Sequence, residues 1–242
     1  MSFIKVCGQE VEEGAGAKVI RLFPTDSLRN FDPFVLFDHF FISPPAGFPE
    51  HPHRGFEIIT LVLEGAIKHA DSLGNSEIIN SLGIQKITAG KGILHSELPA
   101  FNGITQGIQI WINLPKKFKK IDPGYQIVRS EQIPVIEDRG FKEYIIAGSG
   151  TKINLKTAVE YRLFEVCEGS AYRFTPQLGF NTILYLIEGE VTYGHIKLKK
   201  GQGLLLCGNS LDEIRCRTKA KGIVVSGNPL GEPIIHRGPF VD

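Results

Sequence analysis

The chain carries at residues 51–57 the stretch His51-Pro52-His53-Arg54-Gly55-Phe56-Glu57. Histidines two positions apart do not share a face of a helix, whereas on a β-strand they point to the same side. His51 and His53 therefore predict a strand that presents half of a metal site. A second pair with the same spacing, His95 and Glu97, follows after a run of apolar sequence interrupted by turns. Together the two pairs predict two strands that supply four inward ligands to one metal ion.

Glycine and proline separate the remaining sequence into short apolar runs. The chain has 27 Gly and 14 Pro, scattered between segments rich in Ile, Val, Leu and Phe. No segment shows a sustained helical period. This texture is typical of an antiparallel all-β protein. The predicted strands span residues 18–22, 57–63, 84–88, 107–112, 163–166, 182–187, 203–207 and 222–226.

The two halves of the chain contain an approximate repeat. In residues 59–67 and again in residues 184–191, an apolar strand ends in Glu-Gly and a further strand follows. A Gly-x-Gly sequence recurs later in each half, at residues 90–92 and 201–203, with different spacing. The repeat predicts two related barrels in tandem, as domains over residues 1–125 and 126–242. The lysine run, the Asp-Pro-Gly turn and the proline within residues 116–134 predict the linker.

The charge balance argues against whole classes of partner. Twenty-seven basic and twenty-six acidic residues give a net charge of +1, so no overall field favours nucleic acid or an anionic membrane. The lysine run at residues 116–120 is interpreted as a solvated loop, and direct binding of nucleic acid is not expected.

Location and redox state follow from what the sequence lacks. The start of the chain, residues 1–6, has no signal-peptide pattern, and no segment has the length of apolar sequence that crosses a bilayer. Cys7, Cys167, Cys207 and Cys216 form no C-x-x-C pair, so we interpret them as reduced, mostly buried thiols. We expect a cytoplasmic protein, or one that also enters the nucleus if the source is a eukaryote.

Several blocks of sequence resemble one known family. The pattern His51-x-His53-x-x-x-Glu57 with a later histidine is similar to the two motifs of the cupin superfamily. The chain is identified as a member of the pirin family by longer blocks, which cover most of the first half and the last dozen residues. These blocks are FDPFVLFD at residues 31–38, FPEHPHRGFE at 48–57, DSLG at 71–74, TAGKGILHSE at 88–97, WINLP at 111–115, GEP at 231–233 and GPFV at 238–241.

The resemblance implies a bicupin, two jelly-roll (double-stranded β-helix) barrels with a mononuclear iron in the N-terminal barrel and none in the C-terminal one. The iron ligands of pirins fall on His51, His53, His95 and Glu97, all of which are intact. Two departures are the end of the chain directly after the GPFV block, where pirins usually continue, and a weakly matching middle at residues 133–179. Neither departure touches the metal site.

Other residues of the two motifs receive different roles. Counting from His53, Glu57 would also point inward, and many cupins use this glutamate as a ligand; the pirin pattern favours Glu97, which leaves Glu57 to orient a histidine N–H. Gln109 is predicted to line the same barrel as an amide next to the ligands. The remaining histidines are interpreted as surface residues, namely His39, His69, His195 and His236.

The residue types alone do not determine which metal binds or which activity follows. Neutral imidazoles with one carboxylate suit Fe(II), and also Mn, Co, Ni, Cu or Zn. The resemblance implies iron and a quercetin 2,3-dioxygenase activity, in which a flavonol is cleaved by O₂ with release of carbon monoxide and Glu97 acts as the catalytic base. The alternative is a non-catalytic, metal-dependent binding protein or transcriptional co-regulator that acts through protein partners.

Overall fold

The computed structural model describes residues 3–208 and 211–242, so the first two residues of the N-terminal stretch considered above lie outside it. The described chain is built from strands, with two 3₁₀ turns at Lys116–Phe118 and Ser130–Gln132. The all-β prediction is confirmed, and each of the eight predicted strands coincides with an observed one. The strands are β1 (Phe3–Cys7), β2 (Gln9–Glu13), β3 (Ala17–Phe23), β4 (Phe34–Ile42), β5 (Phe48–His53), β6 (Phe56–Glu64), β7 (Ala66–Asp71), β8 (Ser76–Asn80), β9 (Ile84–Thr88), β10 (Ile93–Pro99), β11 (Thr105–Asn113), β12 (Gly124–Val128), β13 (Val135–Asp138), β14 (Phe141–Ala147), β15 (Val159–Val166), β16 (Ala171–Phe174), β17 (Asn181–Glu188), β18 (Glu190–Tyr193), β19 (Ile196–Lys199), β20 (Gln202–Leu206), β21 (Leu211–Cys216), β22 (Ala220–Gly227), β23 (His236–Arg237) and β24 (Phe240–Val241).

The chain forms two compact units, which we call the N-terminal and C-terminal barrels. The N-terminal barrel contains Gln9–Gln132, Leu155–Thr157 and Leu230–Asp242. The C-terminal barrel contains Met1–Gly8, Ile133–Asn154 and Ala158–Pro229. The expected division into residues 1–125 and 126–242 is a single cut, whereas in the structure each barrel also includes one end of the chain.

The N-terminal barrel has a seven-stranded sheet, in the order β12-β9-β6-β11-β4-β3-β2, and a four-stranded sheet, in the order β5-β10-β7-β8. Strand residues alternate between buried and exposed, as in β10, where His95 and Glu97 are buried while Leu94 and Leu98 are exposed. Ile93 of β10 packs in one apolar cluster with residues of β4, β6, β9 and β11. The two sheets are therefore held together by apolar side chains around the predicted ligands.

The C-terminal barrel repeats this topology, with sheets ordered β1-β20-β17-β22-β15-β14-β13 and β16-β21-β18-β19. The Glu-Gly repeat is structural, because β6 and β7 correspond to β17 and β18 in their sheets. The two Gly-x-Gly sequences are not equivalent. Residues 90–92 follow β9, whereas residues 201–203 lie at the start of β20, the counterpart of β9, which explains their different spacing.

The predicted linker is mostly part of the N-terminal barrel. Within residues 116–134, β12 pairs antiparallel with β9 from Gly124↔Thr88 to Val128↔Ile84. The predicted boundary between residues 125 and 126 thus falls inside a strand. The Asp-Pro-Gly turn leads into the edge strand β12, and the proline at residue 134 directly precedes β13, so both signals mark the starts of strands.

The cysteines differ from the prediction in their burial. Cys7, Cys167 and Cys207 are exposed and only Cys216 is buried, and all four are free. Within the described residues, no helix has both the length and the apolar character needed to cross a membrane.

Candidate metal centre

The three predicted histidine ligands lie together inside the N-terminal barrel. β5 and β10 are antiparallel neighbours, and His51 lies directly opposite His95 in their register. His53 follows two residues later on the same side of β5. One nitrogen of each of the three rings lies within 4.8 Å of the others. The alternation of the two strands has thus brought the imidazoles of His51, His53 and His95 to one point, as the spacing predicted.

Two of these rings are oriented by backbone carbonyls. His51 Nδ1 lies 2.7 Å from the Pro49 carbonyl oxygen, and His53 Nδ1 lies 3.4 Å from that of Pro239. Because a carbonyl can only accept, each Nδ1 carries the hydrogen and each Nε2 presents a lone pair. The two Nε2 atoms are 2.9 Å apart. Two lone pairs at this distance repel each other unless a cation lies between them.

A proton is not the cation that this site favours at neutral pH. Burial, together with the neighbouring His51, lowers the pKa of His53 to about 3. Burial also lowers the pKa of His95 well below its ordinary value, with further contributions from His53, His51 and His69. Both nitrogens of the buried His95 ring lack a hydrogen-bond partner among the described residues. The donor set of neutral, partly unpartnered imidazoles fits a divalent first-row metal ion.

Glu97, the fourth predicted ligand, is not part of the three-histidine group found among the described residues. It lies two residues from His95 on β10, in a dense set of hydrogen bonds. Its Oε1 accepts from the Thr60 hydroxyl at 3.2 Å and from Gln85 Nε2, and its Oε2 accepts from Gln109 Nε2 at 2.8 Å. A carboxylate has about four lone-pair positions, so three donors leave one position, on Oε2. Glu97 is 3% exposed, and this remaining position is what it could offer to a metal or a proton.

These partners belong to a continuous row across the seven-stranded sheet, which we call the polar row. Cross-strand registers place its members directly opposite one another on five successive strands. In spatial order, the polar row consists of Arg21, Asp38, Gln109, Thr60 and Gln85.

Gln109 is fixed in the orientation that Glu97 requires. Trp111 Nε1, which can only donate, lies 3.1 Å from Gln109 Oε1. The amide NH₂ must therefore point the other way, toward Glu97 and the Thr60 hydroxyl. The sequence predicted Gln109 as an amide next to the ligands, and the structure places it against Glu97.

Glu57 differs from the expected inward position. Its carboxylate accepts from the Thr88 hydroxyl and from the Lys156 amide and pairs with Lys86 at 2.9 Å, so its partners in the described structure do not include a histidine ring. Glu57 and Thr60 are an odd number of residues apart on β6 and face opposite sides. Parity counted from His53 fails because Gly55, with φ of +88°, interrupts the strand between β5 and β6.

Two histidines that the sequence assigned to the surface are buried. His39 is 1% exposed and His69 is fully buried. His69 Nε2 bonds Asp71 at 3.0 Å, its ring stacks on Tyr125, and its centroid lies 5.7 Å from that of His95. His69-x-Asp71 has the same i, i+2 spacing as the ligand pairs, and this signal could have identified it. The surface interpretation holds for His195, while His236 is half-buried.

A cleft of 530 Å³ opens beside the histidines. His51, His53, Gln109 and Trp111 lie on its inner side. Its volume is within the range of sites that bind small aromatic ligands. Its remaining walls are formed by Glu13, Gly14, Ala15, Arg21, Pro24, Leu36, Asp38, Phe48, Pro49, Glu50, His236, Gly238 and Pro239.

Residues 236–242 complete this site from the other end of the chain, and we call them the C-terminal segment. Its Pro239 carbonyl accepts from His53, and its Val241 is fully buried. Lys119 Nζ donates to the carbonyls of Gly55 and Val241 and to Asn113 Oδ1, at 2.7 to 3.0 Å. Lys119 thereby links the motif around His53 to the C-terminal segment through hydrogen bonds. Local sequence gave no indication of this contact.

On β16 and β21, which correspond to β5 and β10 in the sheet order, the C-terminal barrel buries aromatic and aliphatic side chains. Tyr172 lies opposite Ile214, as His51 lies opposite His95 in the first barrel. Tyr172, Phe174 and Ile214 belong to a large buried cluster that also contains side chains of β17, β18, β19 and β20. The absence of a metal from the second barrel stays a prediction, and this packing is its physical basis.

The fold and the site define a two-cupin protein with a three-histidine candidate metal site in its N-terminal barrel. Comparison with protein families agrees. Residues 16–112 match the family model described as Pirin, and residues 161–242 match the Pirin C-terminal cupin domain. The chain is 37% identical to a pirin-like protein of Solanum lycopersicum, over 98% of this chain and 84% of that protein. It is 35% identical to Pirin of Homo sapiens, over 98% and 86%. The chain belongs to the pirin family.

A solved structure supports the same placement. The structure of quercetin 2,3-dioxygenase from Acinetobacter baumannii superposes with a TM-score of 0.90 at 27% identity, covering 98% of this chain and 90% of that one.

Proposed function

We propose that this protein is a metal-dependent dioxygenase that cleaves flavonols such as quercetin with O₂. The observation that carries the proposal is the convergence of three histidine nitrogens within 4.8 Å, with two of these residues, His51 and His53, lining a 530 Å³ cleft. Similarity to a quercetin 2,3-dioxygenase over nearly the whole chain supports the same activity. We propose Fe(II) as the metal, with Mn, Co, Ni, Cu or Zn as alternatives to be separated by measurement.

The proposed ligands are His51, His53, His95 and Glu97. His53 and His95 have lowered pKa values and are neutral, as histidine ligands must be, and Glu97 retains one lone-pair position on Oε2. When bound, such a metal polarises a chelating substrate oxygen and provides a redox partner for O₂. The protein residues supply the binding and the orientation.

Glu97 is also the proposed proton acceptor. Gln109, Thr60 and Gln85 leave one acceptor position free, on Oε2, so this oxygen can serve the metal or a proton but not both at once. It would hold the metal before the substrate binds, and it would take the proton of the substrate 3-hydroxyl when the substrate oxygens replace it. The proton stays on Oε2 while the flavonol is bound as its anion. The apolar wall of the cleft, with Trp111 and Leu36, would contact the planar rings and keep water from them.

The proposal is tested by metal analysis and gas measurements on one preparation. Protein reconstituted anaerobically with Fe(II) should consume O₂ and release carbon monoxide with quercetin. Luteolin, which lacks the 3-hydroxyl, should be inert, because it offers neither the proton nor one of the two chelating oxygens. His95→Ala should lose both metal and turnover. His195→Ala is the matched control, since His195 is exposed and lies in the C-terminal barrel.

Stoichiometric Fe(II) without O₂ uptake above that of free iron, across flavonols and the other five metals, would overturn the dioxygenase proposal. In that case the metal-dependent binding protein becomes the better hypothesis, and a pull-down that requires metal and shows no turnover would support it.

A further inference from the structure

The cleft has a charged end that the proposed chemistry does not use. There Arg21 forms a two-point pair with Asp38, Nε to Oδ1 at 2.8 Å and Nη2 to Oδ2 at 2.7 Å. The third guanidinium nitrogen, Nη1, bonds Glu13 at 2.8 Å. The Arg21 and Asp38 side chains are only 14% and 9% exposed, and both residues line the cleft. An ion pair held so firmly is a built feature of the cleft wall rather than a surface contact.

The polar row fixes how far this end lies from the candidate metal site. Gln109 bonds Glu97, Asp38 lies directly opposite Gln109 on the next strand, and Arg21 lies opposite Asp38 on the strand after that. Neighbouring strands are about 4.8 Å apart. The Asp38 carboxylate is therefore one strand away from Gln109, in the same cleft.

Asp38 can accept further hydrogen bonds at this position, one strand away from Gln109. Each of its oxygens accepts one hydrogen bond from Arg21 and retains one lone-pair position. Burial raises the pKa of Asp38 to about 6, against the opposing effect of Arg21, so the carboxylate is ionised at pH 7.5. Two carboxylates face one guanidinium here, so this end accepts hydrogen bonds and repels anions.

The cleft surface next to this pair is apolar and aromatic. Trp111, Leu36, Phe48 and Pro24 line the same cleft, and Trp111 stacks on Phe56 with ring centroids 4.3 Å apart, which holds its indole in place. A planar ring in the cleft would therefore lie against a rigid apolar surface next to the carboxylate. This combination of surfaces suits an aromatic ring that carries hydroxyl groups at its far edge.

We infer that Asp38, positioned by Arg21, is a specificity-determining residue that accepts hydrogen bonds from hydroxyl groups on the distal ring of the substrate. The inference rests on the proposed function, because it takes the substrate to be a flavonol anchored at the metal site. It adds a selection rule: flavonols with distal-ring hydroxyls are bound in preference to those without them, and an anionic group on that ring is rejected.

The test measures binding without turnover. Fe(II)-loaded protein at pH 7.5 under argon is titrated with quercetin, with galangin, which has no distal-ring hydroxyl, and with quercetin carrying a sulfonate on that ring. Quercetin should bind about 10-fold more tightly than galangin, the lower end expected for a hydrogen bond to a charged group. The sulfonate should bind more weakly than galangin.

A double variant and a matched control test whether Asp38 causes the preference for quercetin. Asp38→Asn alone removes the buried carboxylate partner of Arg21, leaves only Glu13 to balance its charge and is at risk of misfolding. The Arg21→Gln/Asp38→Asn double variant instead replaces the pair by two amides that can bond each other. In this double variant the preference for quercetin should fall to about 2-fold, with galangin affinity unchanged, since neutral hydrogen bonds are weaker. The matched control is Lys18→Gln/Glu12→Gln, an exposed cross-strand pair on the same two strands as Arg21 and Glu13.

The outcomes separate the two hypotheses. If no flavonol binds the Fe(II)-loaded protein, the proposed function falls and the inference falls with it. If quercetin and galangin bind wild type equally, or if the preference survives in the Arg21→Gln/Asp38→Asn variant, only the role of Asp38 is overturned.

Discussion

At the residue scale, the chemistry of the candidate site depends on hydrogen bonds that fix single atoms. His51 and His53 donate through Nδ1 to backbone carbonyls, and Glu97 accepts from three side chains of the polar row. The bonds from Nδ1 leave the Nε2 lone pairs of His51 and His53 free. The three bonds to Glu97 leave one lone-pair position free, on Oε2. Substitutions that keep the size of a side chain but change its hydrogen-bonding pattern should therefore have large effects here.

Glu97→Gln should lower metal affinity at least about 10-fold. The substitution removes the anionic charge and brings an NH₂ group against the donor of either Gln85 or Gln109. The measurement is metal content by mass spectrometry, combined with chelator competition on folded protein. Glu57→Gln is the matched control, because Glu57 contacts Lys86 and Thr88 instead of the candidate ligands. Normal metal affinity in Glu97→Gln with a loss in Glu57→Gln would reverse the assignment.

Gly55→Ala should destabilise the protein and weaken metal binding. A Cβ at this position would lie 1.8 Å from the Val241 carbonyl oxygen, at a φ of +88°. Gly74 has a similar φ of +91° with open space around it, so Gly74→Ala carries the backbone cost of about 1–2 kcal/mol without the collision. Denaturant unfolding should show a clearly larger loss for Gly55→Ala. Equal losses of stability in the two variants would mean that the close approach of the Val241 carbonyl does not restrict the side chain at position 55.

At the element scale, the C-terminal segment acts as a support for the motif that carries His51 and His53. It is held by Lys119 and by the ion pair between Arg54 and Asp242 at 3.0 Å. The exposed ion pair contributes little, on the order of 0–1 kcal/mol. Lys119, with three acceptors, is the stronger attachment.

Lys119→Met should therefore release the segment and reduce metal affinity about 10-fold, through the loss of the acceptor for His53 Nδ1. It should also lower the free energy of unfolding by about 1–3 kcal/mol, because buried carbonyl and amide oxygens lose their donor. Metal titration and urea unfolding provide the two measurements. Lys120→Met is the control, since Lys120 is exposed. If Lys119→Met loses stability with unchanged metal affinity, the segment supports the fold but not the site.

At the scale of the whole molecule, metal binding should stabilise the folded chain, because the ligands converge only after folding. One metal per chain is expected, at the N-terminal barrel. At a free metal concentration 100 times the Kd, the stabilisation is about 2.7 kcal/mol, which corresponds to about 5–10 °C in melting temperature for a unit of this size. Calorimetry with and without a chelator measures it. Two metals per chain by elemental analysis, or an unchanged melting temperature, would contradict this expectation.

The thiols should react in two classes. Cys7, Cys167 and Cys207 are exposed, whereas Cys216 is buried, and burial raises the pKa of Cys216 to about 11. Because the thiolate is the reactive form, Cys216 has few reactive molecules at pH 8 even when the structure opens briefly. Titration with a thiol reagent should give three fast thiols in native protein and four after denaturation. Four fast thiols in the native state would show that the C-terminal barrel is less closed than described.

The sequence by itself determined the features that depend on short spacing. The i, i+2 pairs placed His51 and His53 on one side of a strand, and likewise His95 and Glu97, because the strand period is two residues. Apolar runs separated by Gly and Pro predicted eight strands, and the recurring Glu-Gly sequence predicted the repeat of the two barrels. Counting by alternation failed at Glu57, where the left-handed Gly55 resets the parity. The turn signals of residues 116–134 did not mark a linker, because a short strand, β12, lies between them.

Only the tertiary structure decided which groups surround the ligands. The polar row joins five strands whose registers are set by packing and turns along the whole barrel, so no local pattern could place Asp38 beside Gln109. The buried pair His69 and Asp71 and the return of the C-terminal segment onto His53 are also contacts between distant parts of the chain. Local sequence specifies which way a side chain points from its own strand. The partner it meets there depends on how the other strands are arranged, and that is fixed only when the barrel closes.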